Sequence, residues 1–83
     1  MTKSLTENDF FRTTDLPLAS ALLYFGYHLD SLEKGSPKAT FIFLREEGLD
    51  KTVEAFWAGE LLIEPKAFFN CQKEIKSRLY NEG

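Results

Sequence analysis

Residues 38–44, with the sequence Lys-Ala-Thr-Phe-Ile-Phe-Leu, restrict the fold of this chain more than any other segment. Side chains alternate between the two faces of a β-strand, and here both alternating sets are mostly apolar. One set is Ala39, Phe41 and Phe43, and the other is Thr40, Ile42 and Leu44. The segment is therefore predicted to be a strand that needs cover on both faces.

Three helices are predicted from the spacing of apolar residues and from the residues that begin and end helices. The first starts at Thr14 and Asp15, whose side-chain oxygens can accept hydrogen bonds from free backbone amides. It ends at Gly26, which tolerates a left-handed conformation. Ser20 and Tyr24 form a narrow polar strip on an otherwise apolar helix, so we expect the helix to be covered on most sides.

The second helix is predicted over residues 49–58, with Gly59 as its stop. Trp57 stands at the edge of its apolar face and is predicted to join the core. The third helix begins at Pro65, because proline is favoured in the first turn. Its inward stripe consists of Phe68, Cys71, Gln72, Ile75 and Leu79.

Strands are predicted over residues 9–13, 27–32 and 38–44, and residues 61–63 are a candidate for a short fourth strand. The element order is then β-α-β-β-α-(β)-α. This order predicts an α+β fold, in which a small antiparallel sheet of three strands packs with three helices. If residues 61–63 also pair, the sheet has four strands and the order matches a ferredoxin-like variant.

The chain has 83 residues, which is enough for one domain. A domain of this size buries only about 60% of the surface that its unfolded chain exposes, so little sheet can remain open. We expect residues 9–81 to form a single domain whose helices divide the two sheet faces among themselves, and a homodimer is the alternative. Residues 1–8 are polar without periodicity and are predicted to be a flexible leader.

Charge and composition narrow the classes of function. Ten basic and 13 acidic residues give a net charge of −3 without a block of one sign, which disfavours a nucleic-acid binder. The sequence has neither an apolar run of the roughly 18 residues that a membrane span needs nor the apolar start of a secretory signal. With one cysteine and hence no internal disulfide, the protein is predicted to be cytoplasmic and without membrane contact.

No combination of residues has the pattern of a catalytic or metal site. Cys71 and His28 are the only nucleophile and base to consider, but Cys71 falls in the apolar stripe of the third helix, where an inert thiol is expected. One histidine, one cysteine and scattered carboxylates do not form a closed ligand set. We therefore predict no catalytic residue, no metal and no cofactor.

One face of the third helix carries a binding pattern. A helical wheel places Phe69, Lys73, Lys76 and Tyr80 side by side along the edge of the inward stripe. Aromatic rings interleaved with lysines can anchor a protein partner or stack nucleic-acid bases. The structural alternative is a broad core stripe whose outer rings are covered by lysine stems.

These features predict a small non-catalytic binding protein that recognises a protein partner or a second copy of itself. The partner-binding candidates are Phe69, Lys73, Lys76, Tyr80 and Trp57. The alternative is a single-stranded nucleic-acid-binding domain, for which the additional candidates are Lys38, Phe41, Phe43 and Arg45. An enzyme that uses Cys71 or His28 is a further alternative.

The order and spacing of several short motifs resemble a family of short domains of unknown function found in bacteria and their phages. The resemblance spans about residues 10–80 and is carried by Phe11-Arg12-Thr13-Thr14-Asp15-Leu16, Leu18-Ala19, Gly26-Tyr27-His28-Leu29, Pro37, Phe41-Ile42-Phe43, Phe56-Trp57-Ala58-Gly59-Glu60, Pro65 and Phe68-Phe69. It implies no catalytic or binding residue. It does imply a stand-alone domain, such as an accessory protein of a phage or mobile element, and an inhibitor of a host defence enzyme would fit this description.

Overall fold

Three strands and three helices follow one another in the order β-α-β-β-α-α in the computed structural model, which describes residues 9–35 and 37–81. The strands are β1 (Phe10–Thr13), β2 (Leu29–Glu33) and β3 (Thr40–Leu44), and the helices are α1 (Leu16–Tyr24), α2 (Leu49–Ala58) and α3 (Pro65–Asn81). The predicted α+β class is confirmed. The predicted leader, residues 1–8, lies outside the described residues.

The sheet has the order β1-β3-β2, and both outer strands are antiparallel to β3. Phe43 pairs with Phe11 of β1 on one side and with Leu29 of β2 on the other. The outer strands are therefore parallel to each other, and α1 connects them across the sheet. The segment with two apolar faces is the central strand, where both of its edges are hydrogen-bonded.

The predicted sheet of three strands is confirmed, and the alternative with a fourth strand is wrong, because residues 61–63 adopt no regular structure between α2 and α3. The backbone around them bonds to helices instead of to a strand edge. The amide of Glu60 donates to the carbonyl of Ala55, and the amide of Glu64 donates to the hydroxyl of Tyr24 at 3.1 Å. The second bond ties the start of α3 to the end of α1.

Helix α1 occupies the centre of the molecule, with contacts to β1, α2 and α3. It is buried continuously from Leu18 to Leu22, which confirms the expected cover on most sides. Asp15 caps it as predicted, since its Oδ1 accepts from the amide of Leu18 at 2.8 Å. Ser20 was predicted to lie in a polar strip, and this is wrong: the residue is fully buried, and its hydroxyl donates to the carbonyl of Leu16 at 2.8 Å.

A single hydrophobic cluster joins all three helices to one face of β3. Its buried members are Leu18, Ala19, Leu22, Leu29, Phe41, Phe43, Leu49 and Ile75. Ile42 is buried but lies outside this cluster, on the other sheet face, where it pairs with Arg12 and Ser31. The prediction that the helices divide the two faces is therefore wrong, because α3 packs against α1 instead of against the second face.

Helix α2 has the predicted bounds and ends at Gly59, whose φ is 73°. Its residues Leu49, Val53 and Phe56 meet the core at the predicted spacing. Trp57 does not, and its prediction as a core residue is wrong, since 63% of it is exposed. Each residue along a helix turns the side-chain direction by about 100°, so Trp57 points away from the core direction of Phe56. The two rings form a T-shaped pair with 4.9 Å between their centroids.

The start of α2 depends on a glycine that the sequence did not single out. Gly48 occupies the N-cap position with a φ of 90°, and no side chain caps this end. A Cβ atom at Gly48 would lie 2.8 Å from the hydroxyl oxygen of Tyr27. That hydroxyl is 3.2 Å from Oγ1 of Thr52, so glycine allows Tyr27 to reach α2.

Candidate binding surfaces

The outer face of α3 presents two aromatic rings and two lysines to solvent. Phe69, Lys73, Lys76 and Tyr80 follow the spacing i, i+4, i+7 and i+11, and all four are exposed. The exposed fraction is 56% for Phe69 and 77% for Tyr80, so the rings are not covered by lysine stems. We call these four residues the α3 face, and its rings lie about 16 Å apart along the helix axis.

The inner side of α3 explains why this face is held outward. Ile75 is fully buried in the core, and the rest of the predicted inward stripe is half-buried: Phe68, Cys71, Gln72 and Leu79. Helix α3 packs against α1, and this stripe is less exposed than the α3 face. The position of the α3 face is thus determined by packing on the opposite side of the same helix.

The charge of α3 differs from that of the segment before it. Residues 65–81 contain four basic residues and one acidic residue, giving +3, although the whole chain carries −3. Residues 45–64, which include α2, contain six acidic and two basic residues, giving −4. The exposed aromatic rings of α3 therefore lie on a basic helix of an acidic protein.

Among the described residues, three large apolar side chains outside α3 are exposed: Phe25, Trp57 and Leu62. Trp57 is the last residue but one of α2, and Leu62 lies in the connection to α3 with 91% of its surface exposed. Trp57 was both a predicted core residue and a candidate for partner binding, and its exposure is compatible only with the second role.

A groove opens where the turn between β2 and β3, the start of α1 and the last turns of α3 meet. It consists of two cavities of 380 and 230 Å³ that share Ala39 and Leu79. Asp15 and Lys38 line the first cavity, and Lys34 and Tyr80 line the second. We call this feature the end groove; the sequence alone did not indicate it, because its walls are far apart along the chain.

The aromatic residues proposed for nucleic-acid binding are not accessible. Phe41 and Phe43 are buried in the core, so they cannot stack bases, and this part of the prediction is wrong. The predicted alternation of side chains between the two faces of β3 was correct, but α1 covers the face on which both rings lie. Lys38 is exposed at the end groove. Nε of Arg45 lies 3.4 Å from Oδ1 of Asp50, and its Cζ lies 5.9 Å from the ring centroid of Phe11.

His28 and Cys71 have separate surroundings. The backbone amide of His28 donates to Oε1 of Glu46 at 3.1 Å, and Nδ1 lies 3.3 Å from the same oxygen. The backbone hydrogen bond is the main reason that the pKa of Glu46 is lowered. Cys71 is half-buried on α3, where burial and then the charge of Glu74 raise the pKa of its thiol.

The raised pKa of Cys71 predicts that its thiol reacts slowly with electrophiles. We expect iodoacetamide at pH 8 to alkylate Cys71 several-fold more slowly in the folded protein than in the protein unfolded in urea. The thiolate is the reacting species, and the raised pKa lowers the fraction of thiolate in the folded state. The rate is measured by mass spectrometry over time. Glu74→Gln serves as a control and should raise the folded rate slightly by removing one cause of the shift. A faster reaction in the folded state would instead indicate an activated nucleophile.

Residues 9–35 and 37–81 contain neither a candidate metal centre nor a membrane-spanning helix. Within them, no group of three or more His, Cys, Asp or Glu side chains is arranged to hold a metal ion. No helix in the same part of the chain combines the length and apolar character needed to cross a membrane.

Residues 8–81 match the protein family described as Domain of unknown function (DUF5659). The chain belongs to this family. The match runs from the residues before β1 to the end of α3, and the resemblance to a family of unknown function is confirmed. The origin of the protein in bacteria or phages stays a prediction. No curated protein and no solved structure matches the chain.

Proposed function

We propose that this protein acts by binding a protein partner through the α3 face and that it catalyses no reaction. The observation that carries the proposal is the exposure of Phe69 and Tyr80 beside Lys73 and Lys76. Aromatic side chains contribute most of the energy of many protein interfaces, because each buries a large apolar area with few rotatable bonds. Lysines beside them select a partner of opposite charge.

A stable helix supports this role. Because Ile75 anchors α3 in the core, the α3 face keeps its geometry before a partner arrives, which lowers the entropic cost of binding. Trp57 is included as a second aromatic contact on α2. The predicted cytoplasmic location and the role as a phage or mobile-element accessory protein belong to this proposal, the latter on the family resemblance alone.

Single-stranded nucleic acid is the second candidate ligand, and one observation favours it. The α3 face alternates rings and lysines on a helix of charge +3, an arrangement that can stack bases and contact phosphates. Against it stand the net charge of −3 and the burial of Phe41 and Phe43. A salt titration with a labelled oligothymidylate decides the matter, because phosphate contacts lose affinity steeply as salt rises.

The proposal predicts that Phe69→Ala/Tyr80→Ala abolishes partner binding without unfolding the protein. We expect a loss of affinity of about thirtyfold or more, since truncating an aromatic anchor typically costs at least about 2 kcal/mol. Both side chains are exposed, so the free energy of unfolding should change by less than about 1 kcal/mol. Partners captured by the tagged protein are identified by mass spectrometry and their affinities then measured by calorimetry.

Leu62→Ala is the matched control, because it removes an exposed apolar side chain outside α3. Capture that persists at full affinity in the double variant would remove the α3 face from the proposal. Trp57→Ala tests whether the interface extends to α2. The mass of the protein in solution shows whether the partner is a second copy.

A further inference from the structure

We infer that the end groove is a binding site for a short acidic segment of a partner protein, in which carboxylates lie close to one apolar side chain. The inference deepens the proposed function and rests on it, since it names the chemistry of the partner. It depends on three properties of the groove: its apolar floor, its exposed lysines and its continuity with the α3 face.

The floor of the groove is apolar and concave. Ala39 and Leu79 line both cavities, and Phe41 and Pro17 extend the floor of the larger one. Its volume of 380 Å³ falls within the roughly 300–1,000 Å³ typical of ligand pockets. A single leucine- or phenylalanine-sized side chain of an extended peptide matches such a shallow apolar recess.

Two lysines and one aspartate line the groove, so its charged side chains sum to +1. Lys34 and Lys38 are exposed, and among the described residues neither lysine has an ion-pair partner. Asp15 lines the larger cavity, where its Oδ1 accepts the amide of Leu18 at the start of α1. Glu33 pairs with Thr40 on the opposite face of the sheet from Ala39, so it does not belong to the groove. Because both lysines come from the turn between β2 and β3, they favour carboxylates on the side of the bound segment that faces this turn.

Tyr80 connects the groove to the proposed interface. Its side chain lines the smaller cavity and is also the last member of the α3 face. A partner that lies along α3 can thus place an adjoining acidic segment in the groove. Nucleic acid is less suited to this site, because its affinity depends on several phosphate contacts and the described lining offers two lysines and one exposed ring.

A random library of 12-residue peptides displayed on phage and selected on the full chain provides the test. We expect the selected sequences to contain Asp or Glu close to an apolar residue. One such peptide is then synthesised with a fluorescein label, and its affinity is measured by fluorescence anisotropy. Affinity should fall as salt rises, because the ion pairs are exposed.

The variant Lys34→Ala/Lys38→Ala should weaken peptide binding about tenfold. Lys51→Ala/Lys66→Ala removes the same charge from exposed positions outside the groove and should change affinity by less than about twofold. All four lysines are exposed, and circular dichroism verifies that both variants fold. Phe69→Ala should leave peptide binding intact, because Phe69 belongs to the α3 face but not to the groove.

Four results would overturn the inference: selected peptides without acidic residues, equal weakening by the two double variants, competition by a 12-residue oligothymidylate, or a dimer that dissociates in Lys34→Ala/Lys38→Ala.

Failure of the groove is distinguishable from failure of the α3 face. If the lysine variant has no effect but Phe69→Ala/Tyr80→Ala abolishes partner capture, only the groove fails. If the reverse holds, the groove binds acidic peptides and the α3 face fails.

Discussion

Replacing Phe43 with alanine is expected to lower the free energy of unfolding by about 3–5 kcal/mol, because it leaves a large cavity at the centre of the core. Phe43 is fully buried in the central strand, between Phe11 and Leu29 of the neighbouring strands. Domains are stabilised by only about 5–15 kcal/mol in total. The loss should therefore leave a substantial unfolded fraction at physiological temperature.

Urea unfolding followed by circular dichroism measures the effect of Phe43→Ala. Phe69→Ala makes the same chemical change at an exposed position and should alter the free energy of unfolding by less than about 0.5 kcal/mol. A loss below about 1 kcal/mol for Phe43→Ala would mean that the ring is not in the core. The residue would then become available for the nucleic-acid alternative again.

Replacing Ile75 with alanine is expected to lower the free energy of unfolding by about 2–5 kcal/mol. Ile75 is the one fully buried residue of α3 within the described part of the chain, and it joins that helix to the common core. Its truncation should loosen the helix that carries the α3 face. Urea unfolding measures the stability, and amide hydrogen exchange shows whether protection is lost first in α3.

Lys76→Ala is the control for Ile75→Ala, because the lysine is the next residue along the helix and is exposed. Its effect on stability should stay within about 0.5 kcal/mol. Similar small effects of both substitutions would show that α3 is not docked on α1. Neither the α3 face nor the end groove would then be a fixed surface, and both binding proposals would lose their structural basis.

The local features of the fold were predictable because they depend on neighbours in the sequence. The cap at Asp15, the stop at Gly59 and the start at Pro65 each act through hydrogen bonds or backbone angles within about four residues. The inward stripe of α3 was likewise predicted from its helical spacing, and Ile75 is its fully buried member. Gly48 was missed because its neighbour Tyr27 is remote in sequence.

The candidate binding residues were predictable in part. Helical spacing grouped the four residues of the α3 face correctly, but it could not show whether a partner element of the same chain covers them. The end groove had no signal in the sequence, because Lys34, Asp15 and Leu79 come together only when the turn between β2 and β3 meets the start of α1 and the end of α3.

The sequence by itself determined the elements, most of their ends and the fact that β3 has two apolar faces. Only the tertiary structure decided which face the helices cover, and with it the burial of Phe41 and Phe43 and the separate position of Ile42. The physical reason is that alternation places side chains on opposite faces of a strand whatever lies above them. Which face receives α1, and whether α3 then packs on the sheet or on α1, depends on contacts between segments far apart in the chain.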